Sequence, residues 1–462
     1  MPTTFVTAFL NLAEDRSKDK SVEQCFALFS QLAATGIRLH LFLSRCYEGA
    51  VAPANVSIEY IDLEELDTFK DISGLEYSLP AVRTPHHDTK NFMILMNSKI
   101  EFVHRAMLAG NSTHWAWIDF SIFHVFRDPS SAAYLQMLGK SSLKPGLYFP
   151  GCWGPGEPSF SAVCWRFCGG FFIGDAASIQ AFYDAHRLHF KHTVLSRGLA
   201  WEVNHWAWLE HAGHLKCSWF QADHNDSIIR VKPFRVVASL TTIPPRAESC
   251  RLALDSLISQ VDHIYLSVSR SYRRFGDWVP WPYLAEEPYS SKVTVVYTED
   301  LGPATKYLGA LPYISPETWI FVCDDDQEYH PTLISRMMNS VSEIAVYQNH
   351  YELIKEKTSG GLIHGYVGLL VHASLLKDLP AFPLPASAQF VDDQWMSIYC
   401  FLKDIKIFPS GVESYRDIYK VLDGWHEKIG AASLAGLQNR DDMVSALGRE
   451  FGITFDKHTL RK

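Results

Sequence analysis

The amino-acid sequence predicts an α/β protein with two domains, each built on a mostly parallel central sheet flanked by helices. Short apolar runs, many of them rich in β-branched residues, alternate with stretches whose apolar residues recur at helical spacing. Such runs are typical of parallel strands that are covered on both faces. The chain has 462 residues, which is more than one hydrophobic core usually holds.

Two apolar runs mark the beginnings of the two predicted domains. They are residues 4–10 (TFVTAFL) and residues 235–240 (RVVASL), and the second follows a polar segment and Pro233. A boundary there leaves about 230 residues on each side, which is enough for two separate cores. We therefore predict one domain over residues 1–232 and a second over residues 233–462.

The other elements follow along the chain. In the first half we predict strands at residues 37–43 and 115–118, with a helix over residues 91–109 between them. In the second half we predict a helix over residues 246–260, because its leucines recur at helical spacing. Further strands are predicted at residues 263–268, 293–297 and 319–323.

Composition disfavours several classes of protein. The chain has 42 Lys and Arg against 51 Asp and Glu, and its net charge of −9 disfavours nucleic-acid binding. No run approaches the ~20 apolar residues of a membrane span, and the N-terminal residues lack the pattern of a secretory signal. We therefore expect no integral membrane segment and a cytoplasmic location, with peripheral membrane contact left open. The sequence indicates no oligomeric state.

The nine cysteines form no CxxC pair. Cys152, Cys164 and Cys168 are the one sequence cluster, and their spacing suits neither a zinc site nor a disulfide framework. We expect reduced, mostly buried thiols.

Three consecutive acids, Asp324, Asp325 and Asp326, follow the strand predicted at residues 319–323. The carboxyl ends of strands are where open α/β sheets bind ligands. Adjacent carboxylates repel one another unless a cation lies between them, and oxygen ligands favour Mg²⁺ or Mn²⁺, which also bridges diphosphates. The alternative is a solvated acidic turn. An EF-hand fits less well, because Tyr329 and Ser335 stand where its loop needs Gly and Glu.

Three nearby segments extend this cluster. Residues 300–306 (DLGPATK) place Lys306 after a Gly-Pro turn, and residues 391–395 (VDDQW) carry a second acidic pair. The glycines of residues 365–368 (GYVG) would let the backbone approach a ligand. A metal, a cation for phosphate and a separate carboxylate are the parts needed to transfer a sugar from a nucleotide diphosphate. A nucleotidyl or phosphate-transferring enzyme is an open alternative, although no P-loop is present.

These motifs carry a resemblance. Residues 239–246 (SLTTIPPR), 300–306 and 324–326 occur in the order found in a group of GT-A-type glycosyltransferases with a DxD metal motif, and this half resembles that group over roughly residues 234–425. The resemblance implies that Asp324 and above all Asp326 bind the metal and that Asp393 is the base of an inverting transfer. It further implies an acceptor-side role for Asp392 and makes His426 a third metal ligand. The residues that it implies in donor binding are Thr241, Arg246, Lys306, Asp324 and Asp325.

The first half has a weaker version of this pattern. Asp119 is the single acid after the strand predicted at residues 115–118. Glu202 is set among three tryptophans, and His224 follows Asp223 and could ligate a cation. Singly, these residues are also explained as a capping Asp, a hydrogen-bonded core Glu and an exposed loop His.

Together these segments resemble the HtrL/YibB (WlaTC-like) family, which is regarded as glycosyltransferases of surface-polysaccharide biosynthesis. The likeness spans nearly all of residues 3–230 and is carried by residues 4–11, 97–99 with Phe102, 117–120 (WIDF), 169–171 (GGF), 201–204 (WEVN) and 222–226 (ADHND). It implies that Asp119 and His224 face a metal-diphosphate, with Lys99 in donor binding, and that Glu202 faces the acceptor. The lone Asp119 departs from a full DxD motif.

The sequence thus predicts a bifunctional glycosyltransferase with two GT-A-like (Rossmann-like) domains. Each would use a UDP- or GDP-sugar with Mn²⁺ or Mg²⁺, and both would extend one growing glycan acceptor. Two alternatives stay open: a single active C-terminal transferase with an N-terminal scaffold, or with an N-terminal carbohydrate-binding domain.

Overall fold

A computed structural model describes residues 2–12, 20–349, 361–412, 419–421, 440–456 and 459–461. The chain forms two compact units, Met1–Pro233 and Phe234–Lys462. Among the described residues, no helix is both long enough and apolar enough to cross a membrane.

Seven strands form the sheet of the first unit. They are Thr3–Phe9 (β1), Leu39–Leu43 (β2), Val56–Tyr60 (β3), His114–Ile118 (β4), Leu147–Gly151 (β5), Phe171–Asp175 (β6) and Ser218–Gln221 (β7). Their order across the sheet is β3-β2-β1-β4-β6-β5-β7. Of these seven strands, β6 alone runs antiparallel to its neighbours.

The helices of the first unit are Val22–Ala34 (α1), Asp67–Ile72 (α2), Lys90–Asn97 (α3), Lys99–Ala109 (α4), Ser130–Lys140 (α5), Ala176–Arg197 (α6) and Glu202–His211 (α7). The helix α1 begins at a capping box in which Ser21 and Gln24 satisfy each other's backbone N–H groups. The helix α6 begins where the Asp175 side chain accepts from the Ser178 N–H.

The single helix predicted over residues 91–109 is two helices, α3 and α4, separated at Ser98. The Ser98 hydroxyl donates to the Ile94 carbonyl at 2.9 Å, a contact that competes with the helical ladder and bends helices. The break makes Lys99 the first residue of α4.

The described residues of the second unit form thirteen strands. They are Val236–Thr241 (β8), His263–Ser269 (β9), Ser271–Tyr272 (β10), Gly276–Asp277 (β11), Val293–Thr298 (β12), Trp319–Val322 (β13), Gln327–Tyr329 (β14), Val346–Gln348 (β15), Leu369–His372 (β16), Ile407–Pro409 (β17), Tyr419–Val421 (β18), Thr454–Asp456 (β19) and Thr459–Arg461 (β20). Seven of them form the main sheet, in the order β12-β9-β8-β13-β16-β15-β17. The others pair as three small antiparallel ribbons, β10 with β11, β14 with β18 and β19 with β20.

Where the second unit is described, its helices are Ala247–Leu257 (α8), Tyr289–Lys292 (α9), Thr305–Leu308 (α10), Leu333–Ser340 (α11), Asp392–Leu402 (α12) and Arg440–Phe451 (α13). The prediction of two α/β domains with mostly parallel sheets is confirmed. The predicted strands agree with the observed ones to within one or two residues at each end. Most of these strands are buried, as expected for strands covered on both faces, and β12 is the exposed exception at the edge of its sheet.

The two main sheets have the same topology. Taken in chain order, the seven strands of each sheet lie in the order 3-2-1-4-6-5-7, and in each sheet the sixth strand alone is antiparallel. A reversed strand brings its amino end to the edge where its parallel neighbours have their carboxyl ends. The residues that enter β6 and β16 therefore lie at the same edge as the residues that leave β4 and β13.

The core of each unit lies on the two faces of its sheet. All five residues of β4 and all four of β13 are buried. Trp206 of the first unit and Trp319 of the second are fully buried. Full burial of a large apolar side chain contributes on the order of 1.5–3 kcal/mol, so these side chains help to hold the helices against the sheets.

Candidate active sites

A buried lysine lies at the centre of the second unit's acidic cluster. Lys306, on α10, is 3% exposed. Its Nζ atom lies 2.8 Å from Asp324 Oδ1, at the end of β13, and 2.9 Å from Asp392 Oδ2, on the first residue of α12. Asp393 Oδ1 is 3.6 Å away. Although burial alone would lower it, the pKa of Lys306 is raised well above its usual value by these three carboxylates.

The DLGPATK segment positions this lysine. The Asp300 carboxylate accepts from the Gly302 N–H at 3.1 Å and from the Arg273 N–H at 3.2 Å, which fixes the turn before α10. Gly302 has φ +62°, and a Cβ there would lie 2.5 Å from the Gln389 carbonyl oxygen. Only glycine fits this turn, because the backbone is left-handed and the neighbouring chain is in contact with it.

The three consecutive acids have different partners. Asp325 is 3% exposed; its carboxylate pairs with Arg246 Nη1 at 2.6 Å and accepts from the Thr242 hydroxyl at 2.6 Å. Asp324 and Asp326 are more exposed to the cavity, with side-chain exposures of 29% and 12%. Asp326 also approaches Arg246, at 3.3 Å. Asp325 thus holds the SLTTIPPR loop against the strand end, while Asp324 and Asp326 face the cavity.

Two further side chains of the SLTTIPPR segment are used in the same way. Ser239 donates to the Lys306 carbonyl oxygen at 2.7 Å, and Thr241 donates to the Ser267 carbonyl oxygen at 2.8 Å. The polar residues of this segment therefore join β8 to α10, to β9 and to the acidic strand end.

Asp393 is a buried carboxylate with a neutral hydrogen-bond donor. The Tyr307 hydroxyl donates to Asp393 Oδ1 at 3.2 Å. A Cβ on Gly365 would lie 2.4 Å from the same oxygen and 2.9 Å from Lys306 Nζ. We expected the GYVG glycines to let the backbone approach a ligand. The backbone at Gly365 instead lies close to two side chains of the protein itself, Asp393 and Lys306. Burial raises the pKa of Asp393 to about 7, with Asp392 adding to the shift.

Asp326 also binds its proton more tightly than a free carboxyl. Burial raises the pKa of Asp326 to about 7, and the charge of Asp325 adds to the shift. A divalent cation bound to Asp326 would favour the ionised form of this carboxyl and so offset the effect of burial.

All described second-unit residues predicted to act at a site line one cavity of about 430 Å³. They are Thr241, Arg246, Lys306, Asp324, Asp325, Asp326, Asp392 and Asp393. The predicted ligand His426 lies outside the described residues. Among the described residues of this cluster, no three acids each place a carboxylate oxygen within 4.8 Å of the other two. A metal would therefore use one or two carboxylates with diphosphate oxygens, as Mg²⁺ commonly does.

The first unit holds a lysine in the same place. Lys99, the first residue of α4, is 2% exposed, and its Nζ lies 3.0 Å from Asp119 Oδ1 and 2.8 Å from Glu202 Oε1. Asp119 follows β4, and Glu202 is the first residue of α7. Burial alone would lower the pKa of Lys99, but the two carboxylates raise it. The predicted site residues Lys99, Asp119 and Glu202 are therefore brought into contact.

A glycine before the reversed strand completes the correspondence. Gly169 precedes β6 and Gly365 precedes β16. A Cβ on Gly169 would lie 2.1 Å from Glu202 Oε1. The Gly169 carbonyl also accepts from Lys99 Nζ at 2.9 Å. In both units, then, a lysine, a strand-end aspartate, a helix-start acid and a closely packed glycine meet at one sheet edge.

The first unit differs at the second position of the DxD motif. Where the second unit has Asp326, two residues after Asp324, the first has Ser121, two residues after Asp119. Asp119 and Glu202 line a cavity of about 520 Å³ together with His224, which is the third predicted residue there. Asp119 also lines a second cavity, of about 300 Å³, beside the end of β1.

Sequence reasoning missed Tyr307 and the packing role of Gly169 and Gly365. The order of the motifs gives no sign that a tyrosine hydroxyl points at Asp393, 86 residues later. For the two glycines, the position just before a strand could have indicated that another group packs closely against the backbone there.

No family model matches the chain, and no curated protein matches it. Among solved structures, the chain is similar to residues 1–349 of TarS from S. aureus. The identity is 15%, the match covers 47% of this chain and 72% of that chain, and the TM-score is 0.30. It is also similar to glucosyl-3-phosphoglycerate synthase from Mycobacterium tuberculosis in complex with Mn²⁺, UDP-glucose and phosphoglyceric acid. The identity is 14%, the coverage is 48% and 81%, and the TM-score is 0.31. A third similar structure is 4-diphosphocytidyl-2C-methyl-D-erythritol synthase from Anaerococcus prevotii, with 12% identity, 42% and 94% coverage and a TM-score of 0.27.

Proposed function

We propose that the second unit is a glycosyltransferase that moves a sugar from a nucleoside-diphosphate sugar to an acceptor hydroxyl. The observation that carries the proposal is the meeting of Lys306 with Asp324, Asp392 and Asp393 at one sheet edge. The carboxyl edge of an open sheet is where nucleotides bind. The cavity of about 430 Å³ is within the usual size range for small-molecule ligands.

Asp324 and Asp326 would hold Mn²⁺ or Mg²⁺ with the donor's diphosphate. When bound, the metal would neutralise the charge that develops on the leaving nucleotide. The five acids of the cluster form ion pairs with Arg246 and Lys306, so carboxylates outnumber these two partners. That excess suits a divalent cation. Asp325 and Thr242 keep the Arg246 guanidinium and its loop beside the diphosphate position.

Asp393 would be the base. Its pKa of about 7 lets the carboxylate be ionised near neutral pH and still accept a proton effectively. Asp392 has a different task, since it pairs with Lys306 at 2.9 Å and fixes the lysine beside Asp324. As a base, Asp393 would take the proton of the acceptor hydroxyl, whose oxygen forms the new bond to the anomeric carbon as the bond to the leaving diphosphate breaks on the opposite face, so the product is inverted.

The first unit is proposed to run the same class of reaction with its own nucleotide sugar. Lys99, Asp119 and Glu202 correspond in topology and contact to Lys306, Asp324 and Asp392. Glu202 would face the acceptor. Because Ser121 stands at the second DxD position, a metal here would have Asp119 as its acidic ligand at the strand end. Two transferases in one chain would add successive sugars to one glycan, and the tether raises the effective concentration of the first product.

A second candidate for the first unit is a carbohydrate-binding domain that holds the acceptor. Trp165, Trp201 and Phe92 line the cavity that contains Glu202. Flat aromatic faces of this kind stack on sugar rings. The test is whether changes at Asp119 or Glu202 remove a catalytic step or only raise the acceptor KM.

The decisive experiment incubates the full chain with Mn²⁺ and a panel of UDP- and GDP-sugars and measures released nucleotide. Wild type runs beside Asp119→Ala, Asp326→Ala and the control Asp378→Ala, whose carboxylate pairs with Lys403 on the surface. Two donors, each lost in a different variant, support two transferases. One donor lost only in Asp326→Ala supports the binding-domain alternative. Loss of both activities in folded Asp326→Ala contradicts the two-site model, and diphosphate release in place of UDP or GDP indicates a nucleotidyl enzyme.

A further inference from the structure

Two cysteines and a histidine of the first unit meet beside its candidate active site. Cys152 follows β5, Cys168 lies before β6, and His224 follows β7. These three strands are neighbours, in the order β6-β5-β7, and β6 is the reversed one. The carboxyl ends of β5 and β7 and the amino end of β6 therefore bring the three side chains to a single edge. The Cys168 N–H donates to the Pro150 carbonyl at 2.8 Å, which ties that approach to β5.

We propose that Cys152, Cys168 and His224 bind a Zn²⁺ ion, with the Asp223 carboxylate as the fourth ligand. The Sγ, Sγ and imidazole nitrogen atoms all lie within 4.8 Å of one another. The two sulfur atoms are 3.4 Å apart, and Cys152 Sγ is 3.8 Å from Asp223 Oδ1. His224 Nδ1 is 3.4 Å from the same carboxylate oxygen.

These separations suit tetrahedral zinc. Bond lengths of about 2.3 Å to sulfur and about 2.0–2.1 Å to nitrogen or oxygen place neighbouring ligand atoms roughly 3.3–3.8 Å apart. The observed distances between the ligand atoms therefore need to change by only about an ångström. Cys168 is fully buried and therefore held by packing. The His224 side chain is 42% exposed, and an edge-on contact with Trp165, with ring centroids 4.5 Å apart, orients it.

The chemistry separates this site from the acidic clusters. Thiolates and imidazole are soft or borderline ligands that select Zn²⁺ over Mg²⁺ and Mn²⁺. With a carboxylate as the fourth ligand, all four coordination positions would be filled by the protein. Four protein ligands with no open position are typical of structural zinc. This assignment gives His224, which the family resemblance implied to face a metal-diphosphate, a different metal from the one proposed beside Asp119.

Bound zinc would position the transfer site. Cys168 is followed by Gly169, whose carbonyl accepts from Lys99 Nζ at 2.9 Å, and by Gly170, whose carbonyl accepts from the Asp119 N–H at 3.0 Å. A metal that fixes Cys168 would also fix the two carbonyls that contact Lys99 and Asp119. The role is structural, and the ion would touch no reacting atom.

The test uses the full chain, reduced and freed of metal with a chelator. Co²⁺ is added first, because thiolate coordination gives it a charge-transfer absorption, and Zn²⁺ is then added to displace it. We expect stoichiometric binding, bleaching by Zn²⁺ and no bleaching by excess Mn²⁺. Cys152→Ser and His224→Ala change residues that are not fully buried and should lower the Zn²⁺ affinity by about 100-fold or more, beyond the 10–100-fold typical of outer-shell partners.

The matched control is Cys164→Ser, a half-buried neighbouring cysteine outside the cluster, which should bind Co²⁺ as wild type does. The proposal is overturned if reduced wild type shows no charge-transfer band, or if the band persists in Cys152→Ser. It is also overturned if purified protein carries a Cys152–Cys168 disulfide and binds no Co²⁺ after reduction. None of these readouts depends on sugar transfer.

Discussion

Glu202 stands in the first unit where Asp392 stands in the second. Each is the first residue of the helix that precedes the seventh strand of its sheet, and each pairs with a buried lysine, at 2.8 Å in the first unit and 2.9 Å in the second. The lysine in turn pairs with the acid that follows the fourth strand. The correspondence rests on contacts and topology, and it holds although the acids differ in length. It indicates that the lone acid Asp119 belongs to an arrangement of the same kind as the DDD cluster.

Lys306→Met should destabilise the protein by about 3–5 kcal/mol at neutral pH, because three carboxylates would lose their buried cation. The loss should be smaller near pH 5, where the proton that Asp393 then retains removes part of the repulsion. Urea unfolding measures the difference. The control Lys403→Met breaks an exposed pair with Asp378 and should cost about 0–1 kcal/mol. Equal losses in the two variants would show that Lys306 carries no special electrostatic role.

Gly169→Ala and Gly365→Ala should each impair one activity and spare the other. The added methyl would lie 2.1 Å from Glu202 Oε1 in the first case and 2.4 Å from Asp393 Oδ1 in the second, so the acid must move. Because a displacement of about 1 Å can cost on the order of 10²-fold in rate, we expect losses of that size in nucleotide release. Gly154→Ala is the control, since no atom lies within 4 Å of its added Cβ. Activity unchanged in both test variants would mean that these acids have no catalytic role.

Asp393→Asn should leave donor binding nearly unchanged and lower turnover by a factor on the order of 10² to 10⁴. In wild type, the rate of transfer by the second unit should rise with pH through about 7 and then level off, because the Asp393 carboxyl loses its proton over this range. Steady-state kinetics from about pH 5.5 to about pH 8.5 tests both points. Tyr307→Phe removes the hydroxyl that donates to Asp393 and should shift the midpoint upward while the plateau remains. Full turnover in Asp393→Asn would place the base elsewhere.

Asp326→Asn should change how stability responds to pH and Mn²⁺. A carboxyl whose pKa is raised to about 7 in the folded state stabilises the metal-free fold fully below about pH 4, and this contribution is lost as the pH rises through about 7. The metal-free Asn variant should therefore gain stability relative to wild type over that window. Mn²⁺ binds the ionised form, so its shift of the wild-type Tm should grow with pH, and the variant should show little shift. Thermal unfolding with and without Mn²⁺ measures both effects, and a variant with the wild-type Mn²⁺ shift would remove Asp326 from the metal site.

The sequence was sufficient to predict seven strands, among them β4 and β13, because short apolar runs of this kind have few alternatives once buried. It also predicted which acids would follow those strands. It did not predict the later strands of either main sheet, such as β6 and β16. Lys99 is different: it lies 103 residues before Glu202, and no local pattern indicates that they touch. Family resemblance suggested this lysine, but the contact depends on the strand order, which single-sequence patterns do not specify.

The cysteines are a second case in which sequence patterns did not predict a contact. Spacing rules for zinc sites describe ligands that one turn or hairpin brings together. Cys152, Cys168 and His224 are instead brought together by three neighbouring strand ends, and the first two are 16 positions apart in the sequence. Their sequence separation therefore carries no information about their distance.

The presence of two such sites in one polypeptide fixes the ratio in which a cell makes them. If both units are active, a cell always makes them in a 1:1 ratio, and differential expression cannot adjust one step against the other. The balance between the two sugar additions is then set by the intrinsic rates and by the supply of the two donors. A glycan that carries the first sugar without the second would accordingly indicate a slow second step or a shortage of the second donor, and not a missing enzyme.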